Sequence, residues 1–241
     1  GEVMRCLKTG CGAGGPTPLA AGQGAPAGVR VSASLPIDFV AGEGGGEAVV
    51  VWADAASGDV LSCPADGCGG ATPTPLATGR ARPRHLVSGN RFFYWIEEGV
   101  GGQGGQLFKY EKGAGKAPVP QSEPLATPTR FTLAKDKLFA VDRGTAANQY
   151  ADGKIVWADP TTDDRDVFVD GQKSLFSIAA DDAGGNVYWN ADGNLMYCRF
   201  DRRCVGGAKL LAAGVGQGDI ASDGAYVFFA VGDEIRKVPR P

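Results

Sequence analysis

The chain has 241 residues, 24 Lys and Arg against 27 Asp and Glu for a net charge of −3, and 38 Gly with 15 Pro. That length suits one large all-β domain able to bury its own core without disulfides for bulk stability. No basic block suits a nucleic acid, no acidic tail suits a solvated arm, and no apolar run reaches the length of a membrane-spanning helix.

Short apolar runs set between Gly, Pro and Asx turns predict strands throughout, with no helical periodicity of useful length. We label the four strands of a recurring unit a to d. The chain enters in mid-unit with c at 2–6 and d at 17–20. The Gly/Pro linker 22–26 leads to a at 29–32, a Gly-rich insertion at 34–47, and b at 48–52. The second run has c at 59–63, d at 74–77, a at 84–88 and b at 91–95. The third has c at 106–110, d at 124–126, a at 130–133 and b at 137–141. The fourth has c at 154–158, d at 166–169, a at 175–179 and b at 186–189. The chain closes with c at 194–198, d at 209–212, a at 219–222, b at 226–229 and c at 234–238.

A four-stranded antiparallel unit repeating about every 40–55 residues reads as a β-propeller blade. One blade cannot cover its own faces, which explains why the b strands are apolar nearly throughout. Joining the first c–d pair to the final a–b–c triplet makes five blades visible, with five or six expected in the intact protein. Residues 1–241 read as a single propeller domain. Beginning at Gly1 without an initiator Met, the chain also reads as a mature or excised product of a longer one, compatible with a removed signal or lipid-anchoring segment.

Six cysteines form three local pairs, Cys6/Cys11, Cys63/Cys68 and Cys198/Cys204, each running from the end of a c strand into the next loop. Units with Tyr110 or Ala158 near that strand position have no loop cysteine either. Joint presence and joint absence predict local disulfides, and hence an oxidising compartment: periplasm, cell surface or medium. Each closes a small loop and contributes roughly 2 kcal/mol or less. Zinc is disfavoured, because the spacing is wider than CxxC, the pairs lie far apart and the chain has a single His.

Residues 2–20, 59–95 and 186–212 share more than strand spacing. A cysteine-bearing strand and Gly-rich loop lead to Thr17-Pro18-Leu19-Ala20 and Thr74-Pro75-Leu76-Ala77, and Tyr94-Trp95 and Tyr188-Trp189 close b strands. This unit resembles the repeats of secreted bacterial β-propellers related to the YWTD and TolB-like groups. The strict Tyr-Trp-Thr-Asp string is absent, since Ile96 and Asn190 follow the aromatic pairs. The resemblance implies a strands lining a central channel. The d–a and b–c connections would gather on one face, and the a–b and c–d loops, disulfide loops included, on the other.

On that mapping the loops 96–105 and 142–153 rim a binding face, with Arg80, Arg82 and Arg84 entering beside them. Aligning the a strands brings Arg30, His85, Arg130, Ser177 and Asp219 to one polar level. Such a ring suits an anion or a carboxylate-bearing ligand. The plainer alternative is a hydrated wall with partly paired charges, Asp219 with an Arg. Trp52, Trp95, Trp189 and Phe229 fall at matching b-strand places and read as core between blades. The candidate binding set is Arg30, Arg82, His85, Glu97, Arg130, Asp142, Arg143 and Asp219; no catalytic residue, metal ligand or cofactor is assigned.

His85 has no nucleophile elbow beside it, and as a general base it would need Glu97, Glu98 or Asp142. The turns 181–185 and 190–194 lack EF-hand spacing and carry the Asx and Gly that hairpins need. The Gly strings at 42–46 and 99–105 lack the Lys-Ser/Thr of a phosphate loop. Three function classes remain. The first is a secreted or surface monomer binding a protein, peptide or glycan. The second is an extracellular lyase or hydrolase at a channel mouth near His85. The third is a purely structural repeat. An enzyme requires His85 and carboxylates converging in a polar pocket; a binding module needs a shallower exposed patch.

Overall fold

A computed structural model describes residues 1–6, 14–32, 49–68, 70–99, 104–201 and 203–241, with backbone alone for 27–32. The chain is all-β. Four antiparallel four-stranded sheets follow one another in sequence order. They are β3 (Pro26–Ser32) to β6 (Thr74–Ala77), through β4 (Val49–Asp54) and β5 (Asp59–Pro64); and β7 (Pro83–Ser88) to β10 (Val119–Pro120), through β8 (Phe92–Glu97) and β9 (Gln106–Glu111). Next come β11 (Pro128–Ala134), β12 (Lys137–Asp142), β13 (Gly153–Ala158) and β14 (Arg165–Gln172), then β15 (Ile178–Asp181), β16 (Asn186–Ala191), β17 (Asn194–Arg199) and β18 (Lys209–Ala212). A pair, β1 (Val3–Arg5) with β2 (Thr17–Ala20), precedes them, and a triplet, β19 (Ile220–Ser222), β20 (Tyr226–Val231) and β21 (Glu234–Pro239), follows. The described residues thus hold six sheets. The c–d pair and the a–b–c triplet each form a hydrogen-bonded sheet of their own.

The chain forms two compact units, Gly1–Glu97 with Phe108–Val119, and Glu98–Leu107 with Pro120–Pro241. Within each, the first strands of successive sheets lie against one another: β3 by β7 in one, β11 by β15 and β15 by β19 in the other. The second strands are buried along their whole length in β4, β8 and β16. Trp52, Trp95 and Trp189 are fully buried on them. Each indole packs toward the preceding sheet, Trp52 with Val3 and Leu19, Trp95 with Val51 and Val60, and Trp189 edge-on to Phe168. Each indole N–H also has an acceptor, Gln23 Oε1 at 3.0 Å, Glu97 Oε1 at 3.0 Å and Gln172 Oε1 at 3.1 Å. A buried indole needs both the packing and the partner.

The fourth strands share a register. In β1–β2, β5–β6, β13–β14 and β17–β18 the ladder slips at the same place, leaving Leu19, Leu76, Phe168 and Leu211 as the extra residue opposite one partner. Such a bulge turns the side chain toward the core, and all four residues join apolar clusters.

Two strands fall elsewhere than the sequence pattern suggests. The d strand expected at 124–126 is instead β10 at Val119–Pro120, with one bridge between Gly105 and Leu125. Pro118, Pro120 and Pro124 leave too few donors for a ladder. Ser122 substitutes a side chain, its Oγ accepting from Leu107 N at 3.0 Å, while Gln121 N donates to Leu107 O at 2.6 Å. The a strand expected at 175–179 starts three residues later, at Ile178, after Ser174 takes φ 52° and Leu175 is buried.

Two of the cysteine pairs are closed, Cys63–Cys68 and Cys198–Cys204, with Cα–Cα distances of 5.2 and 5.7 Å. Cys6 is disulfide-bonded as well, while Cys11 lies outside the described residues. Disulfides of this kind belong to an oxidising environment. Among the described residues no helix is long and apolar enough to cross a membrane.

Candidate functional site

Three of the a strands open on a proline, Pro26, Pro83 and Pro128, paired with the last residue of the neighbouring b strand, Asp54, Glu97 and Asp142. Proline brings no N–H to the ladder, and the residues before it are pushed into an extended path with their own N–H groups unpaired. The carboxylates take up those donors. Asp54 accepts from Gly24, Ala25, Ala56 and Ser57 N at 2.6, 2.8, 3.0 and 3.3 Å. Glu97 accepts from Ala81 N at 3.2 Å and from Arg80 Nε at 2.6 Å, besides the Trp95 indole. Asp142 accepts from Ala126, Thr127 and Gly144 N at 3.0, 2.8 and 3.1 Å. Burial raises the Asp54 carboxyl, but the four N–H bonds outweigh it and hold the group below its ordinary value.

In the fourth repeat Asn190 takes over one place earlier, accepting from Ser177 N and donating to Gly218 O, both at 2.7 Å. Glu97 and Asp142, both candidate ligand groups, are therefore clasps between a b strand and the connection leading into its a strand. The signal was present in the sequence as an acidic residue one or two places past the b strand, with a proline at the head of the a strand.

Around Asp142 the second unit holds a cleft of about 700 Å³. Its walls are the connection into β11, including Leu125 and Thr127, the loop between β12 and β13 with Thr145 and Tyr150, and Lys154 at the start of β13. The loop is ordered by its own polar groups. A 3-10 turn, Ala146–Asn148, is capped by Thr145, and Asp152 closes it by accepting from Thr145 N, Thr145 Oγ1 and Asn148 Nδ2 at 2.8, 2.9 and 2.8 Å. The Thr145 N–H, followed by the Asn148 amide, lowers the Asp152 carboxyl to about 2. Gly144, at φ +88°, has no room for a side chain, since a Cβ would come 2.3 Å from Asp152 Oδ1.

Gln149 and Tyr150 both adopt left-handed backbone, at φ 54° and 58°, a costly conformation for two successive side-chain-bearing residues. The Tyr150 ring is backed by the Arg143 guanidinium, 4.1 Å from its centroid. Lys154 Nζ stands 3.9 Å from Asp142 Oδ2. A second hollow, about 200 Å³, lies between Ser122, Glu123, Trp157 and Arg165 and shares Leu125 and Lys154 with the first. With the Asp142 oxygens engaged by backbone, the cleft offers an ammonium, an aromatic face and a hydroxyl above an apolar floor. That set suits a ligand bound by charge and stacking.

The remaining candidates lie as follows. Arg130, Ser177 and Asp219 share a level, their ladder places being opposite Val141, Asn190 and Ala230. Arg130 Nε pairs with Asp219 Oδ1 at 3.4 Å and lies over the Phe176 ring, while Ser177 is buried and accepts from Ile220 N at 3.2 Å. In the second sheet the level belongs to Arg84, opposite Ile96; His85 falls in the bulge beside buried Leu86, half-buried at φ 53°. Arg30 pairs with Val51, off the level, and its side chain lies outside the description. Arg82 is exposed at φ 58°. The 181–185 turn is a hairpin in which Asp181 accepts from Ala183 N and Arg240, each at 2.9 Å.

No protein-family model matches this chain, and no curated protein matches it in sequence. Solved structures do match in shape. A chain of a nidogen/laminin complex superposes with TM-score 0.62 at 11% identity, over 98% of this chain and 84% of that one. A putative gluconolactonase gives 0.58 at 12%, over 91% and 76%. A calcium-binding protein, regucalcin, from Agrobacterium tumefaciens gives 0.56 at 14%, over 90% and 71%. At such identities the likeness concerns the fold: a propeller-type repeat of four-stranded antiparallel sheets.

Proposed function

We propose that the protein is a binding module of an oxidising extracellular or periplasmic compartment, taking a carboxylate-bearing segment of a peptide or glycan into the cleft of its second unit. The observation that carries this reading is the state of the carboxylates. Glu97 and Asp142 are held by backbone N–H groups, which leaves Lys154 and Tyr150 as the groups a ligand meets. An ammonium beside an aromatic face, over apolar Leu125, suits a carboxylate attached to a sugar ring or a short side chain. The disulfides support the compartment, and the likeness to a propeller solved in a nidogen/laminin complex is compatible with a binding role.

The test is an array of acidic oligosaccharides and acidic peptides, followed by calorimetric titration of the hits. Lys154→Ala is expected to weaken binding about tenfold or more, the weight of one charge-assisted contact. Tyr150→Ala should weaken it independently. Equal binding by both variants, or turnover of a bound glycan or lactone by the wild-type chain that these variants leave intact, would overturn the reading.

A further inference from the structure

Lys154 stands where the cleft and the second hollow meet, and the hollow runs on from it over β13 and β14. Lys154, Val156 and Ala158 are alternate residues of β13, and alternate residues of a strand point to one face. Across the ladder Val156 faces Val167, and Ala158 faces Arg165. This face therefore leads from an ammonium, over two valines, to a guanidinium. From the place of Lys154 to that of Ala158 is about 13 Å of strand. Val156 is half-buried and Val167 exposed, and with Leu125 they line the hollow of about 200 Å³. The acids around it differ in how firmly they are held. Asp142 takes three backbone N–H groups, and Asp166 accepts from the Arg203 guanidinium at 2.8 and 3.2 Å. Glu123 is exposed, and its Oε1 lies at a loose 3.5 Å from Arg165.

We propose that the ligand is an extended acidic peptide of the pattern acid–x–apolar–x–acid. One acid pairs with Lys154, the apolar side chain enters the hollow between Val156, Val167 and Leu125, and the second acid pairs with Arg165 in place of Glu123. The inference rests on the cleft reading and decides between its two ligand classes. In an extended peptide the side chains i, i+2 and i+4 face one way, and i and i+4 lie about 13 Å apart, the period of the strand beneath. Charge at both ends and an apolar centre match that period. An acidic glycan would set ring hydroxyls against the valines and Leu125, where burial without a hydrogen bond is unfavourable. Glu123 is the internal stand-in for the second acid: it neutralises Arg165 in the free protein and yields the guanidinium to the ligand.

The test titrates the whole chain by calorimetry with end-blocked peptides: Ser-Glu-Ser-Leu-Ser-Glu-Ser, its two single Glu-to-Gln forms, and the closer-spaced isomer Ser-Glu-Ser-Leu-Glu-Ser-Ser. The first is expected to bind about fivefold more tightly than the other three, the weight of one partly exposed ion pair. Arg165→Gln should abolish that advantage, and Glu123→Gln, which releases Arg165, should widen it. Both side chains are exposed, so both variants should keep the wild-type circular dichroism and Tm. The inference is overturned if all four peptides bind alike, or if the advantage survives Arg165→Gln. It is equally overturned if the first peptide fails to bind up to about 1 mM, or if an oligouronate binds and no peptide does. Lys154→Ala separates this inference from the reading beneath it. If that variant weakens every acidic ligand while the second acid adds nothing, the cleft reading stands and the peptide pattern falls. If it leaves every ligand unchanged, both fall.

Discussion

A carboxylate at the end of a b strand meets whichever donors the backbone leaves unpaired, and in this chain a proline decides where those are. Asp54, Glu97 and Asp142 each face an a-strand proline and bond the N–H groups just before it. The same chemistry predicts acid sensitivity. Asp54 and Asp152 have folded values below the ordinary 3.8, Asp152 at about 2. A lowered folded pKa means the unfolded chain binds the proton more readily, so the stabilisation is complete above pH 3.8 and is lost as pH falls through the folded values. We expect the Tm to drop as pH is lowered from about 4 toward 2. Asp152→Asn, which cannot ionise, should flatten the lower part of that fall. An acid limb identical in wild type and Asp152→Asn would show that the loop it closes is uncoupled from unfolding. Sequence reading located Glu97 and Asp142 but had no means to see the backbone donors converging on them, because those come from a connection 15 or 16 residues upstream.

Bulges set what each strand presents. Residue count along the a strands places His85 with Arg130 and Asp219, yet the ladder slips between Arg84 and Val87, so Arg84 holds the level. A one-residue slip exchanges the faces of a strand, and here it leaves Leu86 fully buried. The d-strand bulges are regular enough to define a motif. They also lie beside one recurring buried position of the third strand, held by Val3, Val60, Ile155 and Leu195. Leu195→Ala should cost about 2–5 kcal/mol in urea unfolding, as for a fully buried leucine. An unchanged unfolding curve would mean that this position carries no packing.

At the scale of the molecule, two compact units each carry their own apolar cores, and the disulfides pin loops rather than hold those cores together. Reduction should therefore lower the Tm by roughly 5–15 °C in calorimetry while leaving the β-sheet circular dichroism below the transition intact. Loss of that signal on reduction would assign the cores to the disulfides. What the sequence determined by itself was the repeat: four short strands, a tryptophan at a fixed place on the second, and cysteines present in pairs. Those features arise between neighbours in the chain, where hairpin pairing and small-loop closure leave a periodic trace. What only the tertiary structure decided was which carboxylates are engaged and that residues 124–127 and 142–154 enclose a cleft. Those depend on bulges and on the approach of separate connections, and neither has a period to read.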